Sequence, residues 1–238
     1  MKNITHLVLV ASTMLGVNSS FAAQTYTDAS GDIDPGISNA GGTLNFIGAE
    51  VSHTPTDLIF NLTVNGNVNT TDWGNFMIGI STGKTAGTTS GNGWNRPINM
   101  TSPVGGMDFW IGSWVSGGGG SQLWTHGGSW SGPGTLLGYS ITAGATSQLT
   151  YTVSRASLGL TGNDTFYFDA YSSGGGSSDS AVDALANPNT SITGWAGPYT
   201  SNTANGLYSY AIPEPSSSLL MGLGLAGLAV LRRTRKNA

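Results

Sequence analysis

The chain reads as an antiparallel β-sandwich, jelly-roll or immunoglobulin-like, on three grounds. Apolar residues recur at period two, as in Leu58, Phe60, Leu62 and Val64 and again in Leu149, Tyr151 and Val153, the spacing that points one face of a strand at a core. Clusters of Gly, Ser, Asn, Thr and Pro interrupt these runs at short intervals and supply turns. No stretch carries the apolar stripe of an amphipathic helix four turns long.

Along the chain, the pattern predicts strands over 44–51, 57–65, 75–80, 107–114, 121–125, 135–142, 149–153, 165–171 and 206–212, each bounded by turn-forming residues. Residues 154–160 read as one helical turn ahead of the Phe166–Phe168 strand. The glycine runs 117–120 and 174–176 read as loop tips, and Ser201–Asn205 as the start of a linker. Gly-Ser-Trp recurs at 112 and 128, but one recurrence does not make a repeat protein.

Composition bounds the function. A chain of 238 residues suffices for one domain with processing segments. It has no cysteine, which excludes disulfides and thiolate metal sites. Between residues 23 and 213 only Lys84, Arg96 and Arg155 face eleven acids, a balance of −8. A body of that sign repels phosphate backbones, so no nucleic-acid partner is expected.

Both ends carry processing signals. Lys2 precedes the apolar run Leu7–Ala11, extended by Met14, Leu15 and Val17, and Ser20-Phe21-Ala22 places small residues before a cut between Ala22 and Ala23. Residues 1–22 therefore read as a secretory signal peptide rather than an uncleaved anchor. At the other end, Leu219–Leu231 holds no charge and spans about 20 Å as a helix. That length is short for a bilayer, yet Arg232, Arg233, Arg235 and Lys236 can snorkel to the interface and hold the basic end in the cytoplasm. The string Gly222-x-Gly224-x-x-Gly227 fits a dinucleotide fingerprint but lacks the preceding strand; it reads as helix-packing glycines.

The order Pro213-Glu214-Pro215, apolar helix 216–231 and basic end 232–238 resembles the PEP-CTERM sorting signal of exported proteins in Gram-negative bacteria that make extracellular polysaccharide. The resemblance implies recognition of Pro213, Glu214 and Pro215 by an exosortase, a membrane-embedded cysteine protease or transpeptidase. It also implies that Arg232, Arg233 and Arg235 orient the tail, and that the protein passes from the inner membrane to the cell surface or matrix. Ile212 stands where Val is commonest in that family. A C-terminal anchor that is never cut is the other reading of the same residues. On this view the chain divides into a signal peptide, a sandwich over 23–205, and a last strand or linker with the sorting signal over 206–238.

For the body, an acidic opening, strand pairs, a Trp-bearing middle and a late Phe-Tyr-Phe-Asp resemble DOMON and family 9 carbohydrate-binding sandwiches. That resemblance implies a sugar-binding face, where flat indole rings meet the C–H side of a pyranose. Most of the seven tryptophans are expected in the core, with Trp94 and Trp195, in Gly- and Pro-rich loops, left to stack on sugar. Asp28, Asp32 and Asp34 offer three hard oxygen ligands acceptable to Ca²⁺, with Asp179 or Asp183 able to join them in a sandwich; a solvated acidic turn is the alternative.

Catalysis finds little footing. His53 and His126 are the only imidazoles after residue 22 and do not form a ligand pair. Gly79-Ile-Ser81-Thr-Gly83 matches a nucleophile-elbow string, but the following residues do not favour the required helix, so Ser81 reads as a turn residue. No particular carboxylate pair stands out for glycoside hydrolysis. The expected role is structural or interactive, in extracellular polysaccharide, with a carbohydrate-binding module second, a glycan hydrolase third, and no catalytic residue assigned.

Overall fold

The computed structural model describes residues 23–38, 42–136 and 138–213. The expected signal helix and apolar C-terminal helix lie outside them, and among the described residues no helix is long and apolar enough to cross a membrane. Fifteen strands occur among these residues. The first five are β1 (Gln24–Thr27), β2 (Phe46–His53), β3 (Asp57–Val64), β4 (Asn75–Ser81) and β5 (Ile98–Ser102). They are followed by β6 (Gly105–Gly106), β7 (Phe109–Trp114), β8 (Gly120–His126), β9 (Trp130–Gly134) and β10 (Gly138–Thr142). The last five are β11 (Ser147–Ser154), β12 (Thr165–Ser173), β13 (Asp183–Ala184), β14 (Tyr199–Ser201) and β15 (Tyr208–Ala211). The helical turn expected at 154–160 is a short 3₁₀ turn over Ala156–Leu158.

The sandwich expectation holds. One sheet runs β1-β2-β3-β11-β10 and the other β13-β12-β4-β7-β8-β9, with β15 sharing the outer edge of β12, and every pair in both is antiparallel. Period-two burial in β3 and β11 turns Leu58, Phe60, Leu62, Val64, Leu149, Tyr151 and Val153 inward. They meet the Phe76, Ile78, Ile80, Phe166 and Phe168 face of the second sheet. Phe60 packs edge-on against Phe168 with ring centroids 5.5 Å apart, and Ser113 Oγ meets Tyr151 Oη at 2.8 Å across the sheets.

β12 is buried on both faces after Tyr167 because loops cover the outer side of its sheet. Tyr199 of β14 packs edge-on against Tyr171, and Met100 and Met107 fill the space beside Gly79, where a Cβ would come within 3.0 Å of Met100 Cε. β14 and β5 form the one parallel pair among the described strands.

The described ends of the chain are laced together. Tyr26 Oη donates to Ser209 O at 2.7 Å and Tyr208 Oη to Thr27 O at 2.6 Å. Ser201–Asn205 is not a linker as expected: Ser201 belongs to β14, Asn202 pairs with Gly206, and Asn202 Oδ1 accepts the Ala204 and Asn205 N–H groups. The turn chemistry of Asn202 closes this loop locally. β15 then pairs with β12, so the sheet continues through Ala211.

Candidate functional site

Register brings the tryptophans together. Trp110 faces Trp124, Gly112 faces Gln122 and Trp114 faces Gly120 across β7 and β8, so all six occupy the outer face of the second sheet. The two glycines are spaces for indoles. A Cβ on Gly112 would lie 2.3 Å from Trp94 Cε2, and one on Gly120 would lie 2.2 Å from Trp114 Cζ2. Trp94 reaches this position from the loop before β5.

Asn92 builds that loop. Its Oδ1 accepts the Trp94 N–H at 3.0 Å and its Nδ2 donates to the Arg96 and Ile98 carbonyls at 2.9 Å each. Trp94 Nε1 then donates to Gln122 Oε1 at 2.9 Å, and Trp124 Nε1 to the same oxygen at 3.2 Å. Arg96 lies with Cζ 5.6 Å from the Trp94 ring centroid, within cation–π range. Its guanidinium donates to Ser173 Oγ at 2.7 Å, Asp179 O at 3.0 Å and Gly174 O at 3.1 Å. Burial lowers the Arg96 pKa, with nearby Asp179 acting in the opposite direction.

The result is an open cleft of about 680 Å³ whose walls include Trp73, Trp94, Trp114, Asn75, Gln122 and Asp72. A second, of about 700 Å³, continues past the same Trp94–Arg96 ridge toward Asn99 and Pro198. Flat apolar faces among amide, carboxylate and guanidinium groups suit a ligand with an apolar face and a hydroxyl rim. Among the described residues, Asp72 is the one carboxylate lining the first cleft.

The acidic residues regroup. Asp28, Asp32 and Asp183 place ligand oxygens within 4.8 Å of one another. Asp34 is not in this group; its Oδ1 accepts the Gly36 N–H at 2.8 Å. Asp179 serves its own loop, accepting the Gly176 N–H at 2.8 Å. Burial, followed by the charges of Asp183 and Asp32, pushes Asp28 up to about 9. Burial raises Asp32, while burial and then the Asp32 charge raise Asp183 well above the carboxylate range.

Of the residues expected to stack on sugar, Trp94 lines the cleft and Trp195 stands behind it, edge-on to Trp73 with centroids 5.7 Å apart. Most tryptophans are not in the core: Trp110 alone is fully buried, Trp73 is exposed and the others are half-buried. The outer face of the second sheet had room for them because Gly112 and Gly120 carry no side chains. Trp73 and Trp114 escaped sequence reasoning, although the Trp-x-Gly-x-Trp alternation of 110–114 puts all three residues on one face. Ser81 ends β4 with its hydroxyl buried and bonded to Gly106 O at 2.7 Å, and no helix follows it. His53 is also buried, its Nδ1 2.7 Å from Tyr210 Oη, with its pKa lowered by burial and then by Arg155.

At the sorting segment, Ile212 is buried and held from both sides, its N–H donating to Asp164 O at 2.8 Å and its carbonyl accepting the Asn163 N–H at 2.9 Å. Pro213 follows on the surface, and Ala23 is exposed at the other end. Ala22, Glu214, Pro215, Arg232, Arg233, Arg235 and Lys236 lie outside the described residues. No curated protein matches the chain. Residues 211–236 match the family model described as the PEP-CTERM protein-sorting motif. The chain thus carries the signal by which an exosortase recognises an exported, surface-directed protein.

Proposed function

We propose that this exosortase-sorted protein engages extracellular polysaccharide through the tryptophan cleft, after transient anchoring by its C-terminal apolar segment. The observation that carries the reading is the convergence of Trp73, Trp94 and Trp114 with Asn75, Gln122 and Asp72 on one open cleft. Continuation past Trp94 and Arg96 into a second cleft favours an internal stretch of a chain over a single sugar. Binding without cleavage is the reading favoured by one lining carboxylate, since glycoside hydrolysis by the usual route uses two.

Affinity electrophoresis against the host polysaccharide tests this. Retardation is expected, and Trp94→Ala or Trp114→Ala should weaken it about tenfold or more, as loss of a central aromatic contact does. Trp130→Ala, outside the cleft, should leave it unchanged. No retardation by the polysaccharide, or equal retardation of all three variants, would remove the reading; turnover of glycan would replace binding with hydrolysis.

A further inference from the structure

We propose that Asp28, Asp32 and Asp183 form a Ca²⁺ site that clamps the N-terminal segment to the edge of the second sheet. Asp28 immediately follows β1, Asp32 lies in the next turn, and Asp183 opens β13 beside Ser172 of β12. Contact between these three joins the two sheets at a point where neither contributes a long strand.

Proximity of acids alone would not indicate a ligand. The second observation is the state of their oxygens. Asp32 is only 8% exposed, and among the described residues neither of its carboxylate oxygens has a hydrogen-bond partner; Asp28 Oδ2 is buried and likewise without one. Leaving a buried acceptor unmatched is costly. The remaining oxygens are already positioned: Asp28 Oδ1 accepts the Ala29 N–H at 2.8 Å, while Asp183 accepts Phe46 N–H at 2.6 Å and Ala184 N–H at 2.8 Å. Those bonds fix Asp28 and Asp183 and leave lone pairs for another partner.

A protein cation does not fill the role. Lys84 pairs with Asp164 at 2.6 Å, Arg96 is committed beside the cleft, and Arg155 donates to the carbonyls of Thr54, Pro55 and Thr161. They are the only lysine and arginine side chains among the described residues, and the Nδ1 atoms of His53 and His126 meet Tyr210 Oη and Ala86 O. An all-carboxylate set without His or Cys selects a hard ion. Oxygens bound to one Ca²⁺, each about 2.4 Å away, lie no more than about 4.8 Å apart, and those of the cluster fall within that limit. Mg²⁺ fits less well, because it demands shorter octahedral bonds and keeps several waters, whereas this cluster is largely buried and lines neither cleft.

The test uses the full-length protein stripped with chelator and titrated with Ca²⁺ or Mg²⁺. One Ca²⁺ should bind per chain, and Ca²⁺ at 100 times its Kd should favour the folded state about 100-fold, seen as a rise in Tm that Mg²⁺ does not match. Asp32→Asn should weaken Ca²⁺ binding at least tenfold while leaving the stripped protein no less stable, because it removes a buried carboxylate that has no hydrogen-bond partner among the described residues. Asp28→Asn, at the half-exposed side, provides the same reading should Asp32→Asn fail to fold. Asp34→Asn should bind Ca²⁺ normally. The proposal is overturned by the absence of a Ca²⁺-dependent shift in the native chain, by an equal shift with Mg²⁺, or by Ca²⁺ stabilisation persisting in Asp32→Asn or Asp28→Asn.

Discussion

Gly112 lacks a side chain in the space Trp94 fills, which makes it a sharper probe of the cleft than any aromatic residue. With a Cβ only 2.3 Å from Trp94 Cε2, Gly112→Ala must move the indole or the loop carrying it. We expect destabilisation of about 1–3 kcal/mol by denaturant unfolding, with glycan affinity falling about tenfold and the sandwich core retained. Trp94 was recognisable in the sequence from its glycine-flanked loop; Gly112 was not, since its role depends on a residue two strands removed. Asp169 supplies a second residue-scale test. It is fully buried, accepts Ser201 Oγ–H at 2.5 Å and the Ala170 and Ala186 N–H groups, and is raised to about 7 by burial. Its folded pKa exceeds the unfolded value, so the folded state holds the extra proton. This contribution is complete below about 4 and is lost as pH rises through about 7. In chelator-treated protein, Asp169→Asn should remove that share of the pH dependence, observed as a difference between the Tm-versus-pH curves of variant and parent over pH 4–7.

At the scale of elements, β15 is the strand on which sorting and folding meet. It pairs with β12 from Thr165↔Ala211 to Phe168↔Tyr208, and Ile212 continues the contact through Asp164. Ile212→Ala should cost about 2–5 kcal/mol, in line with truncation of a fully buried side chain, and loosen this strand first. Hydrogen exchange at Phe166 and Phe168 would detect the loosening, and unchanged protection there would refute it. All nine strands expected from alternation overlap observed ones, and in β2, β3, β4, β7, β11 and β12 the apolar faces are buried in the shared core. Those missed have local reasons. β1 is polar in three of its four residues, β5 has only Ile98 and Met100 as apolar residues, β6 is a glycine pair, β9 contains Pro133, and β13 and β14 are two and three residues long. Each is positioned by its neighbours rather than by its own periodicity. The same reason left the choice between Asp179 and Asp183 open in the sequence: Asp183 reaches Asp28 and Asp32 once β13 joins β12.

For the whole molecule, an acidic body with three bases, two of them buried, disfavours phosphate backbones as partners. The two ends of β12 give the molecule a direction. Thr165, at its start, lies beside the segment leading to Pro213, while Ser173, at its end, holds Arg96 beneath the tryptophans. Eight residue steps at about 3.3 Å separate them by about 26 Å. Under the proposed anchoring through the segment after Ile212, the Thr165 end of β12 is the end nearer the attachment. Of the indoles, Trp73, Trp94 and Trp114 would then stand nearest the end of the sandwich remote from that attachment.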